Sequence, residues 1–206
     1  VLARHHVLGA LLGEKHMPPP KVVRETFEEL GVTFLKFGQV LAMRRELLPA
    51  AYIDELKLLH DELPAMDFNA ARAAVEARLG VPLTELFSSF GEAPLAAATI
   101  AQVHEATMKD GRHVAVKIQR PGLEPVICRD IAVLRYLAAL GERLVPSLRP
   151  FDLPSAVREF ATSLHRELDF TREARSIALS RAALADVPEV WLPGVVAQLA
   201  TEAVPT

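Results

Sequence analysis

The chain has 206 residues, half of them hydrophobic, and 23 lysines and arginines against 26 aspartates and glutamates give a formal charge of −3. That balance excludes a nucleic-acid binder working through bulk positive charge and a disordered chain, which needs low hydropathy and a large net charge. A single cysteine, Cys128, excludes an intrachain disulfide and a cysteine-built zinc site, and reads as a small core residue in a reducing compartment.

Residues 1–16 are mildly apolar and predict a short helix ending near Gly13, with His5, His6 and His16 in solvent. Val1 is not followed by the charged-then-apolar pattern of a secretory signal, so a cytoplasmic location is expected. Met17-Pro18-Pro19-Pro20 is a stiff linker. Val22, Val23, Phe27 and Leu30 then share one helical face, and Gly31 supplies a C-terminal stop. A second helix runs from near Thr33 to about Arg45 on Leu35, Val40 and Leu41. It carries Leu35-Lys36-Phe37-Gly38-Gln39, where a glycine costs about 1 kcal/mol against alanine. Such a glycine implies a close neighbour, and a half-buried Lys36 needs an anionic partner. A third helix is predicted over 51–60 on Tyr52, Ile53, Leu56 and Leu59. Asp67 then caps an alanine-rich helix closed by Gly80.

Residues 94–121 read as a β-hairpin. Ile100, Gln102, Val103 and Ala106 lead into Lys109-Asp110-Gly111, after which Val114, Val116 and Ile118 alternate with Ala115, Lys117 and Gln119. Asp-Gly between two such runs is a strong hairpin signal, because glycine accepts the positive φ that the favoured turns require. Lys117 after Val114-Ala115-Val116 stands where protein kinases hold ATP phosphates with an ammonium; it is equally compatible with a surface lysine on a half-exposed strand. Where a kinase has a glycine-rich loop, this chain has Ala96-Ala97-Ala98-Thr99, small residues with less backbone freedom than glycine.

A helix follows from about Leu123 to Leu144, with Val126, Ile127, Leu134, Leu137 and Leu144 at its apolar positions. Its run IAVLRYLAAL is broken by Arg135 and falls short of the roughly 18 apolar residues of a membrane span. After a loop at 146–150, one helix is predicted over 154–182, with a core stripe of Phe160, Leu164 and Leu168. Asp169 and Glu173 lie four apart and share a face of it. Glu167 and Asp169 stand about 200° apart on a regular helix, so both meet one site only if the helix bends. A solvated charged face is the other reading of these acids.

The run AAATIAQVH followed by DGRHVAVKIQRPG resembles the UbiB/AarF (ADCK) family, atypical protein-kinase-like proteins tied to isoprenoid quinone biosynthesis. ELGVTFLKFGQVLAMRRELLP resembles the family's Lys-x-Gly-Gln segment, with Val32 where proline is usual. The resemblance implies that Ala96, Ala97, Ala98, Thr99, Lys117 and Glu173 bind ATP, Glu173 being the partner of Lys117. It implies a regulatory motif of Lys36, Gly38 and Gln39, on a helix folded over the nucleotide pocket and met by the acidic pair Glu167 and Asp169. Val187 to Val195 looks like the family's approach to the hinge between lobes.

The expected fold is therefore α+β: a protein-kinase-like small lobe, with an antiparallel sheet and an αC-type helix, behind an amino-terminal helical extension. The segments are 1–20, a linker; 21–90, the extension; and 91–206, the small lobe truncated at the hinge. The second lobe is absent from these 206 residues: there is no catalytic-loop aspartate with its asparagine and no Asp-Phe-Gly for a metal. The resemblance thus covers the amino-terminal half of the family's domain. It implies ATP with magnesium once a second lobe is supplied, inactivity alone, and no complete catalytic or metal site here. A non-catalytic scaffold derived from the fold is the alternative. The partners implied are a second-lobe polypeptide, quinone-biosynthesis proteins and a peripheral membrane contact, with no nucleic acid. Segment 188–200 is expected either to lack order or to dock on its own lobe, leaving apolar groups near Trp191 uncovered.

Overall fold

A computed structural model of the chain describes residues 18–60, 63–197 and 199–201. The predicted helix over 1–16 and the histidines at 5, 6 and 16 lie outside these residues. The chain divides into two compact units, one of residues 1–61 with 122–164 and one of 62–121 with 165–206, so the segments 21–90 and 91–206 each contribute to both.

The first unit is helical. Pro20–Leu30 (α1) starts on a proline, whose missing N–H costs nothing in a first turn. It stops at Gly31, which turns the chain with φ of +94° into Val32–Ala42 (α2). Ala50–Leu56 (α3) begins after Pro49. Both α2 and α3 end a few residues earlier than the apolar spacing predicts. Phe34, Leu35, Ile53, Leu56 and Leu59 are buried. Thr33, fully buried, donates its hydroxyl to the Asp130 carboxylate at 2.8 Å, tying α2 to the long helix Leu123–Leu144 (labelled α6 in chain order).

That long helix buries Ile127, Asp130, Ile131, Leu134 and Ala138, a stripe at three- and four-residue steps. Cys128 falls off the stripe and is exposed, which corrects its reading as a core residue. Val126 and Leu144 are exposed for the same reason of helical phase.

In the second unit, Asp67 caps Phe68–Leu79 (α4) by accepting the Asn69 N–H, and Gly80 ends the helix in the left-handed region. The short helix Leu83–Leu86 (α5) leads into Phe87–Phe90 (β1), a strand the sequence reading did not anticipate. Ala96–Ala97 (β2), Ala101–Met108 (β3) and His113–Gln119 (β4) complete an antiparallel sheet. The central strand is β3: β4 pairs along one edge, while β1 and β2 pair in succession along the other. Gly111, at φ of +87°, makes the expected hairpin turn. Of the helices between 21 and 80, α4 packs on β4, whereas α1 to α3 have their own core in the first unit. Ala71 and Val75 of α4 meet Phe87, Ala106, Val116 and Ile118 of the sheet.

Val196 and Leu199 are buried in the same cluster, so the tail docks on the sheet unit without a regular element of its own, and Trp191 is left 84% exposed. The single helix predicted over 154–182 is in fact two, Leu153–Leu168 (α7) and Phe170–Ala183 (α8), broken at Asp169 with φ −91° and ψ 91°. Among the described residues no helix is long and apolar enough to cross a membrane.

Candidate functional site

The site grows from the end of β4, where three polar side chains each hold a different piece of the second unit. Alternation along the strand buries Val116 and Ile118 in the core and turns Lys117 and Gln119 to the other face. Lys117 Nζ lies 2.5 Å from Glu173 Oε2 and 4.4 Å from the centre of the Phe170 ring. The ammonium therefore has a carboxylate on one side and an aromatic face on another. The Lys117 side chain is 29% exposed and that of Glu173 46%, so the pair is open to solvent.

Two neighbours fix the helix that carries Glu173. Gln119 donates Nε2 to the Leu168 carbonyl at 3.1 Å, filling an acceptor left bare at the end of α7. Asp169 caps α8: its carboxylate accepts the Thr171 hydroxyl at 2.6 Å and the Thr171 N–H at 3.1 Å. The Thr171 hydroxyl, chiefly, holds the Asp169 carboxyl below the usual carboxylate range. Glu173 then falls in the first turn of α8, where the positive end of the helix favours an anion.

Arg120, the residue after β4, bridges two carbonyls: Nε donates to Ala98 at 2.9 Å and Nη2 to Pro64 at 2.8 Å. Its burial pulls its pKa below the ordinary arginine value. The alanine run is less of a loop than its sequence implies. Ala96 and Ala97 pair with Val103 and Gln102 as β2, and the Ala98 N–H donates to the Ala101 carbonyl at 2.8 Å. Only Ala98 to Ile100 form the turn, and Thr99 is fully buried within it.

Behind the turn lies a buried chain that the sequence reading missed. His104 Nδ1 is 2.7 Å from the Gly91 carbonyl, which only accepts, so Nδ1 carries the proton. His104 Nε2 then accepts from Gln102 Nε2 at 2.7 Å, and Gln102 Oε1 accepts the Met66 N–H at 2.8 Å. Gln102 and His104 are at most 1% exposed, and every link is made. Alternating burial on β3 placed both in the core; no local pattern named their partners.

The remaining candidates separate. Glu167 is exposed on the last turn of α7, and Asp169 is half-buried at the helix break. They are therefore not two positions on one regular helix, and Asp169, as the cap of α8, lies outside the helix on which it was expected to share a face with Glu173. Lys36, Gly38 and Gln39 sit on α2, in the first unit. Lys36 is half-buried, and Gln39 Nε2 lies 3.4 Å from the Leu59 carbonyl. A Cβ on Gly38 would stand 2.4 Å from Leu59 Cδ1 and 2.5 Å from Phe27 Cδ2, so the close neighbours this glycine implied are those two side chains.

A cleft of about 560 Å³ lies along α8 at Thr171, Ala174, Arg175 and Arg181, facing Val195 and Ala197 of the tail. Among the described residues no three His, Cys, Asp or Glu side chains gather as a metal site. What the β4 end offers is an ammonium fixed by Glu173, on the strand that pairs with β3, into which the alanine turn leads.

Residues 58–206 match the family described as the ABC1 atypical kinase-like domain. Among curated relatives, a protein described as "Probable protein kinase UbiB" from Marinobacter nauticus is 38% identical over 189 residues, covering 89% of this chain and 35% of that protein. Its namesake from Pseudomonas fluorescens is 39% identical over 173 residues, covering 84% and 32%. The chain thus spans about a third of the length of these relatives. Among solved structures, the Rv3197–erythromycin complex from Mycobacterium tuberculosis aligns with a TM-score of 0.59 at 31% identity, over 86% of this chain and 44% of that one.

Proposed function

Because this chain belongs to the ABC1 atypical kinase-like family, we propose that it supplies the ATP-binding half of an atypical kinase or ATPase of the UbiB type, linked to isoprenoid quinone biosynthesis. The observation that carries this is the 2.5 Å contact between the strand lysine Lys117 and the helical Glu173. In kinases that pair fixes the ammonium that takes the phosphates of the nucleotide. The alanine turn, Ala98 to Thr99, covers the phosphates from the strand side. ATP brings a transferable phosphoryl group. Lys117 orients its anionic oxygens, and Glu173 holds the ammonium in place.

On this reading the base and the magnesium ligands come from a second lobe, because the catalytic-loop aspartate and the Asp-Phe-Gly that carry them in kinases are not among these 206 residues. The chain alone is then a weak binder without turnover. The test is titration of a fluorescent ATP analogue into the wild type, Lys117→Met and Glu173→Gln. A charge-assisted hydrogen bond contributes about 1.5–3 kcal/mol, so Lys117→Met should weaken binding roughly 10- to 100-fold, and Glu173→Gln by less. Equal binding by wild type and Lys117→Met sinks the reading. No binding by the wild type, even with the second-lobe polypeptide added, leaves the non-catalytic scaffold in its place.

A further inference from the structure

Alanine at the phosphate turn leaves a problem that glycine would not. A Cβ at each position narrows the backbone's choice, so the turn cannot adapt freely to a ligand and must be held in a receptive shape beforehand. Residues 98–100 receive much of that hold from Arg120. Arg120 donates its own N–H to the Ile100 carbonyl at 2.9 Å and its Nε to the Ala98 carbonyl at 2.9 Å. Its Nη2 reaches the Pro64 carbonyl, which belongs to the segment leading into α4. That segment is itself fastened to the sheet, through the Met66 N–H and the buried Gln102 and His104.

Two of the three carbonyls in the turn are thereby engaged by Arg120. Carbonyl oxygens are the negative ends of peptide dipoles, and free ones near the turn would repel a phosphate. The guanidinium on the Ala98 carbonyl and the Arg120 N–H on that of Ile100 offset that repulsion. Arg120 also stands three residues beyond Lys117, so the strand that presents the ammonium sets the turn as well. We propose that Arg120 is a positioning residue for nucleotide binding: by gripping the carbonyls of Ala98 and Pro64 in one planar fork, it holds the alanine turn ready for phosphates. This rests on the nucleotide reading above. The fork matters, because a lysine offers a point charge that cannot span two carbonyls at fixed angles.

Arg120→Lys and Arg120→Ala would be compared with the wild-type chain in two ways. Amide hydrogen exchange should quicken at least about tenfold at the Ala98 N–H and its neighbours in both variants, while the β3–β4 ladder keeps its protection. ATP affinity should fall about fivefold or more in Arg120→Lys, with adenosine affinity unchanged, because only the phosphate-dependent part relies on the turn. Unchanged exchange at residues 98–101 in both variants overturns the proposal. So does a parallel loss of ATP and adenosine binding, which is what general loosening produces, or full rescue by lysine. If Arg120→Ala does not fold, Arg120→Lys decides. If the wild type binds no nucleotide, the reading above fails and takes the phosphate role with it, while exchange still shows whether Arg120 holds the turn.

Discussion

Replacing Gly38 by alanine sets two effects of opposite sign against each other. Alanine gains about 1 kcal/mol over glycine inside a helix. Against that, the new methyl would stand 2.4 Å from Leu59 Cδ1 and 2.5 Å from a ring carbon of Phe27, well inside van der Waals contact. Neither neighbour moves freely. Leu59 is 5% exposed, and the Phe27 ring packs on Phe34 and Phe37 with centroids 6.4 Å away in each case. Overpacking of this kind costs about 1–3 kcal/mol, and two clashes from separate parts of the chain place this one near the upper end. The net expectation is a loss of about 1–2 kcal/mol, or roughly 3–6 °C in melting temperature for a chain of this size. Thermal melts and urea titrations of wild type and Gly38→Ala, with unchanged urea slopes, measure it. A variant that melts at or above the wild-type temperature would mean that Phe27 and Leu59 yield, and that packing within the helical unit is not what requires the glycine.

Lys117→Met should lower stability by less than about 1 kcal/mol, because part-exposed ion pairs contribute little, while its loss of nucleotide binding is large; a melt beside the titration shows whether the two separate. For Asp169 the folded-state pKa is depressed, so its contribution to stability is complete above the unfolded carboxyl range and is lost as pH falls through the folded value. Asp169→Asn keeps a capping oxygen but loses the charge, so it should flatten the acid side of a stability-against-pH curve; parallel curves for the two proteins would contradict the depressed Asp169 carboxyl. His104→Ala should cost about 2–4 kcal/mol by leaving Gly91 and Gln102 without their partner in the interior and opening a void, read as a urea midpoint well below that of wild type.

Local chemistry announced much of this fold. Asp67 and Gly80 bracket α4 and Gly111 turns the hairpin, while the meeting of Lys117 with Glu173 is implied by the family resemblance. What the sequence hid depends on partners distant in the chain. Leu168-Asp169-Phe170 contains no glycine or proline, so nothing nearby signals a break. The break is stabilised by Gln119, 49 residues away, which takes the carbonyl freed at Leu168. The strand β1, Phe87-Ser88-Ser89-Phe90, lacks clean alternation and takes its shape from pairing with β3. Cys128 was misjudged because apolar character was read without helical phase, which sets Ile127 inward and its neighbour outward. The alanines at 96 and 97 occupy the place of a loop in a kinase-like pattern, yet they pair with β3 once that strand is there to receive them.

The break at Asp169 also settles how three acids in a short run divide their work. On an unbroken helix Glu167 and Asp169 would point about 200° apart, and Asp169 would sit on the face of Glu173. With the chain bent, Asp169 gives its carboxylate to Thr171 and fixes the start of α8. Glu173, one turn on, is left to meet Lys117. An ion pair with 29% and 46% of its side chains exposed adds little to stability. Yet Gln119 from the strand, Asp169 at the cap and the buried Phe170 ring beneath the ammonium all hold it in one geometry. Support on that scale around a pair that contributes so little to holding the fold is what the proposed nucleotide role asks of Lys117 and Glu173.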